Sequence, residues 1–116
     1  MNKRSLGTEY EHMTENYLKE FGVRIVEKNF RNRFGEIDLI GYDGEYLVFF
    51  EVKFRRDEGS GSGEDAVGIK KRHTICKVSD YYRMLNGIGE FTPIRYDVIA
   101  INGDRIRWIK DAFAYC

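Results

Sequence analysis

Gly35-Glu36-Ile37-Asp38-Leu39-Ile40-Gly41-Tyr42-Asp43-Gly44-Glu45-Tyr46-Leu47-Val48-Phe49-Phe50-Glu51-Val52-Lys53-Phe54-Arg55 is the stretch whose reading decides the fold. Its middle carries Asp43-Gly44, a pair that favours a tight hairpin turn between two strands. With those two as the loop, Tyr42 pairs with Glu45, Asp38 stands opposite Phe49, and Glu36 stands opposite Glu51. Side chains alternate faces along a strand, so Glu36, Asp38, Glu51 and Lys53 emerge together. The opposite face carries Ile37, Leu39, Tyr46, Val48, Phe50, Val52 and Phe54. It is almost wholly apolar, and the expectation is that the helices cover it. A three-residue turn without a bulge would send Asp38 and Glu51 to opposite faces, where no single ion reaches both.

Outward from the hairpin, Leu6, Tyr10, Met13, Tyr17 and Phe21 recur at helical spacing and predict a helix over 6–21, capped by Ser5 and ended by Gly22. Val23 to Phe30 reads as a first strand. Asp57 to Gly63 is polar and rich in Gly and Ser, and is expected to be a mobile loop beside the site. A second helix is expected from Ile69 to Asn86, stopped by Gly87, with Ile75, Val78, Tyr82 and Leu85 as its apolar stripe. Strands over 94–101 and 105–109 flank Asn102-Gly103-Asp104. The order is helix, three strands, helix, two strands: an α/β fold, with residues 1–116 expected to form one domain.

Chemistry concentrates on the hairpin. Two carboxylates on adjacent strands, Asp38 and Glu51, can share a hard cation such as Mg²⁺ or Mn²⁺, which takes oxygen ligands and keeps exchangeable waters. Lys53 follows Glu51 on the same face, about 6.5 Å along the strand. From there its ammonium can hold the attacking water and stabilise charge on a phosphorane. Glu36 shares this face as a supporting acid or an ion-pair partner. Asp97 is expected to pair with Arg95 rather than bind an ion. His12 and His73 lack ligand spacing, and Trp108 reads as a core or half-buried residue. The chain contains no Gly-rich phosphate loop, Ser-His-Asp arrangement or zinc-type Cys/His cluster.

Asp38-x(12)-Glu51-x-Lys53 resembles the PD-(D/E)xK nuclease signature, and the element order resembles that superfamily's restriction-endonuclease-like core of a mixed sheet flanked by helices. Across nearly its full length the chain resembles the YraN-like bacterial family, through Gly7 with Glu11 and Tyr17-Leu18, Asn29-Phe30-Arg31, Gly35 to Ile40, Glu51-Val52-Lys53, Ala66-Val67 with Lys71, and Tyr96-Asp97-Val98. The hairpin is also similar to that of archaeal Holliday junction resolvases. The resemblance implies a metal-dependent endonuclease acting on DNA, branched or structured DNA included, with Asp38, Glu51 and Lys53 catalytic and Glu11 joining the two carboxylates as a metal ligand. It also implies a phosphate contact for Lys71. The neighbouring cations Lys70, Arg55 and Arg31 are further candidates for binding nucleic acid. Glu11 is otherwise a solvated helix glutamate, and Lys71 one member of the solvated run Lys70-Lys71-Arg72. Tyr10, where the family has glycine, and Gly68-Ile69, where it has Thr-Pro, depart from the pattern. The competing functions are a nucleic-acid-binding module without turnover and a protein-interaction domain whose acidic face meets a basic partner.

Composition bounds these readings. The 116 residues are 42% hydrophobic and 15% aromatic, as expected of a folded chain. No apolar run approaches the roughly 20 residues that span a bilayer, and the first turns are too polar for a signal peptide, so the expectation is a cytoplasmic protein. Cys76 and Cys116 lack metal-site spacing and read as reduced thiols, although they can pair with each other. Net charge is zero, yet 24–33 and 53–77 each carry a surplus of +3 and bracket the acidic positions. Those surpluses are either solvated faces or a footprint for phosphate. A dimer would suit a cut through two strands, but no residue argues for one.

Overall fold

In a computed structural model, the chain is described over residues 3–55 and 67–116, with side chains over 9–54 and 67–116. The expected loop at Asp57–Gly63 lies outside these residues. Helix α1 (Lys3–Glu20) leads into a meander of β1 (Arg24–Asn32), β2 (Gly35–Asp43) and β3 (Tyr46–Arg55). Helix α2 (Ile69–Leu85) then precedes β4 (Ile94–Asn102) and β5 (Arg105–Phe113). The strands form one sheet in the order β1-β2-β3-β4-β5. The β3–β4 pair is parallel and the other neighbours are antiparallel. A parallel pair needs a crossover, which α2 supplies. This is an α/β fold with a mixed sheet, compatible with a restriction-endonuclease-like core.

Both faces of the sheet are covered, so the expectation that the two helices share one face is corrected. Leu18 of α1 packs with Leu39, Val48, Phe50, Ile99 and Ile101. On the other side, Ile75, Val78 and Tyr82 of α2 pack with Ile40, Leu47, Phe49, Tyr96 and Val98. The acid-bearing face is itself apolar over half its length, through Ile40, Leu47 and Phe49, and that surface needs a cover of its own.

The hairpin register differs from the expected one by two residues. Asp43 pairs with Tyr46 and Leu39 with Phe50, leaving Gly44 and Glu45 as the loop. Gly44 takes φ +63°, the left-handed backbone that glycine adopts at no steric cost, and it opens the turn. A shift of two preserves which residues share a face.

One local feature breaks the alternation. The pairs Lys28↔Leu39 and Phe30↔Ile37 are two residues apart on both strands. Yet Lys28 reaches Glu15 of α1 at 3.4 Å, while the Phe30 ring meets Tyr82 of α2 with centroids 5.2 Å apart. Leu39 and Ile37 likewise belong to opposite cores, against the expected face for Ile37. Between these pairs Asn29 adopts φ +51°, a conformation Asn tolerates better than most residues. The ribbon turns over there, and Asp38 sits at the turnover.

Smaller differences follow from packing. Helix α1 begins at Lys3, so Ser5 lies inside its first turn and is not the cap. Its buried line runs through Thr14 and Leu18, with Phe21 at the exposed margin. The last strand continues past Ile109 to Phe113, whose ring stacks on Tyr96 at 5.1 Å. Cys76 and Cys116 are free thiols, and the Cys116 N–H donates to Cys76 Sγ at 3.4 Å.

Gly35 joins the turn between β1 and β2 to α2. A Cβ placed there would stand 2.5 Å from the Thr74 methyl. Gly35→Ala is expected to cost about 1–3 kcal/mol in urea unfolding, and Thr74→Ala in the same chain to restore only the part due to the contact, since the backbone at φ +159° strains any Cβ there. Equal losses in the presence and absence of Thr74→Ala would show that the contact is not the cause.

Candidate active site

Pairing between β2 and β3 ends at Leu39↔Phe50, and one further step in register sets Asp38 opposite Glu51. There the Val52 N–H donates to Asp38 Oδ2 at 2.7 Å. The aspartate thus occupies the fork where the two strands part, fixed by a backbone donor on its partner strand. Glu51, directly across, is 7% exposed.

Two cations meet Glu51. Lys53 Nζ lies 3.6 Å and Lys71 Nζ 3.9 Å from Glu51 Oε1. Lys71 comes from the first turn of α2, so the helix that covers this face also delivers a charge to it. Glu36 lies on the rim and is held by Arg31 Nη2 at 2.7 Å.

Burial and mutual repulsion govern the titration of the pair. Glu51 is pushed up to about 7, first by loss of water and then by the Asp38 charge, against the pull of Lys71 and Lys53. Asp38 is also raised, first by burial, with the Val52 N–H opposing and Glu36 adding to the rise. Two carboxylates held this close favour a shared cation or a shared proton.

Glu11 reaches the site from the other side. It lines a narrow cavity of about 40 Å³ with Asp38, Leu39, Val52 and Phe54. Among the described residues, no group of three or more His, Cys, Asp and Glu side chains stands ready to hold an ion. The structure therefore brings Asp38, Glu51, Lys53 and Lys71 together and leaves Glu11 behind Asp38. Tyr10, the departure beside Glu11, is used to pack on Phe54 with ring centroids 4.8 Å apart. Gly68, the second departure, is the N-cap of α2 and provides no side-chain cap. Lys70 is exposed, and Arg55 pairs through its backbone with Asn102.

Asp97 is structural, in line with its expected pairing. It is fully buried and accepts from Arg95 Nε and Nη2, Trp108 Nε1 and the Asp111 N–H, all within 2.9 Å. Arg95 also donates to Asp43 at 2.8 Å and so ties β4 to the hairpin turn. Glu15, not among the candidates taken from the sequence, is 8% exposed and pairs with Lys28. Its position one turn after Glu11 on the line to Leu18 was the available signal.

Residues 10–101 match the model of a family described as "Uncharacterised protein family UPF0102". The chain belongs to this family. It is 42% identical over 113 residues to a UPF0102 protein of Lachnoclostridium phytofermentans, covering 97% of this chain and 96% of that one. A UPF0102 protein of Syntrophus aciditrophicus is 45% identical over 107 residues, covering 89% and 84%. Another, from Thermodesulfovibrio yellowstonii, is 41% identical over 113 residues, covering 97% and 99%. This membership agrees with the YraN-like resemblance. No helix among the described residues is long and apolar enough to cross a membrane.

The raised Glu51 carboxyl makes stability depend on pH with a definite sign. The folded chain binds this proton more tightly than the unfolded chain. The stabilisation is therefore complete below about pH 4.5 and is lost as pH rises through about 7. On the order of 2–3 kcal/mol should be lost across that window. Urea midpoints at pH 5 to 8 are expected to fall in the native chain. In Glu51→Gln they should fall less and exceed native at pH 8. A native midpoint that stays level over this range would contradict the environment assigned to Glu51.

Proposed function

We propose that this chain is a divalent-metal-dependent endonuclease that cleaves phosphodiester bonds in DNA, branched or otherwise structured DNA included. The observation that carries the reading is the opposition of Asp38 and Glu51 at the strand fork, both raised in pKa and flanked by Lys53 and Lys71. The donors suit the ion: two carboxylates supply hard oxygen ligands while leaving positions for water and phosphate, as Mg²⁺ and Mn²⁺ require. A bound ion supplies Lewis acidity and lowers the pKa of a coordinated water.

The chain's own groups divide the remaining work. Asp38 is held rigidly by the Val52 N–H, so its free oxygen is oriented before any ligand arrives. Glu51 carries two ammonium groups that are free to turn toward a phosphate once another cation takes over its charge. Lys53 then lies beside the reacting phosphate, where its donors offset developing negative charge. Lys71, at the start of α2, is placed to take a second phosphate oxygen.

A second reading has its own support. Lys53 and Lys71 already lie 3.6 and 3.9 Å from Glu51, close enough to stand in for a metal in a binding module without turnover. Cleavage of supercoiled, single-stranded and four-way DNA with Mn²⁺ separates the two. The expected result is metal-dependent cutting by the native chain, reduced at least a hundredfold in Asp38→Ala and in Lys53→Ala. DNA binding that persists in chelator, with no cutting of any substrate under either metal, would overturn the enzyme and favour the module.

A further inference from the structure

Beyond the carboxylate pair, the turn between β1 and β2 meets the later half of α2 in a second concavity. Arg31, Asn32, Arg33, Phe34 and Tyr81 line a cavity of about 510 Å³. Its walls have an unusual make-up for a surface turn. Phe34 is 45% and Tyr81 37% exposed, so two aromatic rings face solvent where apolar burial is available elsewhere. Arg33 lies over the Phe34 ring at 4.9 Å, and Lys77 Nζ lies 5.5 Å from the same ring.

Asn32 adds an unmet demand. Its Oδ1 accepts from the N–H groups of Phe34 and Gly35 at 2.8 and 3.3 Å, which fixes the orientation of the amide. Its Nδ2 is then buried without a hydrogen-bond partner among the described residues. A buried donor left unpaired is costly, and a ligand acceptor would satisfy it.

We infer that this cavity binds an unpaired stretch of nucleic acid, with a base stacked on Phe34 or Tyr81 and the backbone held by Arg33 and Lys77. Aromatic faces beside mobile cations are the recurring means of holding single strands, since every base has a face to stack. Every base and every phosphate carries an acceptor for the Asn32 amide, which would have to turn outward to meet it because its Nδ2 has no open surface. A drug-sized or mononucleotide ligand also fits such a volume, but Arg33 and Lys77 beside the Phe34 ring suit a polyanion.

The placement relative to the carboxylate pair deepens the proposed nuclease reading, on which it rests. Along α2, Lys71 meets Glu51, Thr74 abuts Gly35, Lys77 lies over the Phe34 ring and Tyr81 lines the cavity, so successive turns of the helix lead from the carboxylate pair to the cavity. At ~1.5 Å per residue, ten residues from Lys71 to Tyr81 span about 15 Å. That is roughly four nucleotides of a stacked strand at ~3.4 Å each. A strand stacked on Tyr81 would reach Lys71 after about four nucleotides.

Fluorescence anisotropy with a labelled single-stranded DNA and its blunt duplex, in chelator and low salt, tests this directly. The native chain is expected to prefer the single strand. Phe34→Ala should lose roughly five- to a hundredfold in affinity for it, with little change for the duplex and an unaltered melting temperature. Phe34→Trp should restore binding, and Arg33→Gln with Lys77→Gln should flatten the salt dependence. Native-like single-strand binding by a folded Phe34→Ala, or no binding by the native chain, would overturn the inference. Asp38→Ala separates the two proposals, because it should keep single-strand binding. Metal-dependent cutting without a Phe34 effect defeats only this cavity, whereas Phe34-dependent binding without cutting defeats only the nuclease.

Discussion

The Val52 N–H to Asp38 Oδ2 hydrogen bond, 2.7 Å long, fixes the place where β2 and β3 stop pairing. A carboxylate that takes a donor from the neighbouring strand ends the ladder without leaving a buried N–H unpaired. Beyond that point the two strands diverge, and a polar site opens in a sheet whose faces are otherwise closed by apolar cores. The turnover at Asn29 serves the same end. It lets Ile37 and Phe30 join the core under α2 while Leu39 joins the core under α1. Asp38, caught between, belongs to neither core and projects into the fork.

The electrostatics follow from that placement. Glu51 is brought to near-complete burial by the central strand, and the cost of its charge there is offset by two lysines instead of by water. The contrast with Asp97 is instructive. Asp97 is buried more deeply, yet four donors surround it and bind it into the scaffold. Glu51 has only two long contacts near 4 Å and a second acid across from it. One buried carboxylate is surrounded by donors of the fold, and the other meets only two lysine ammonium groups at longer range. Such an imbalance is a common mark of functional sites.

Much of this was legible in the sequence because side chains alternate faces along β3 and along β2 after Asp38. Asp43-Gly44 located the hairpin, and alternation put Asp38 and Glu51 on one face even though the register was displaced by two residues. The direct opposition of the two acids was not legible, since it depends on Gly44 opening the loop rather than closing it. Nor was the turnover, because nothing local in Lys28-Asn29-Phe30 demands a left-handed residue; only the two cores together do. The helices divide between the two faces because Ile40, Leu47 and Phe49 make a second apolar surface on the acid-bearing side. Family membership accounts for the breadth of the resemblance, but the arrangement of Phe34, Asn32 and Tyr81 required tertiary contacts between a turn and a distant helix turn.

The central claim is that Asp38 and Glu51 form a pair in need of a shared cation. Carboxyl ¹³C chemical shifts of Glu51, followed by NMR through a pH titration with and without Mg²⁺, address it most directly. Without Mg²⁺ the account predicts a midpoint of about 7. With saturating Mg²⁺ the midpoint should fall by more than a unit, because the ion competes with the proton for the same oxygens. A midpoint that is unchanged by Mg²⁺, or that already lies in the ordinary glutamate range without it, would contradict the account.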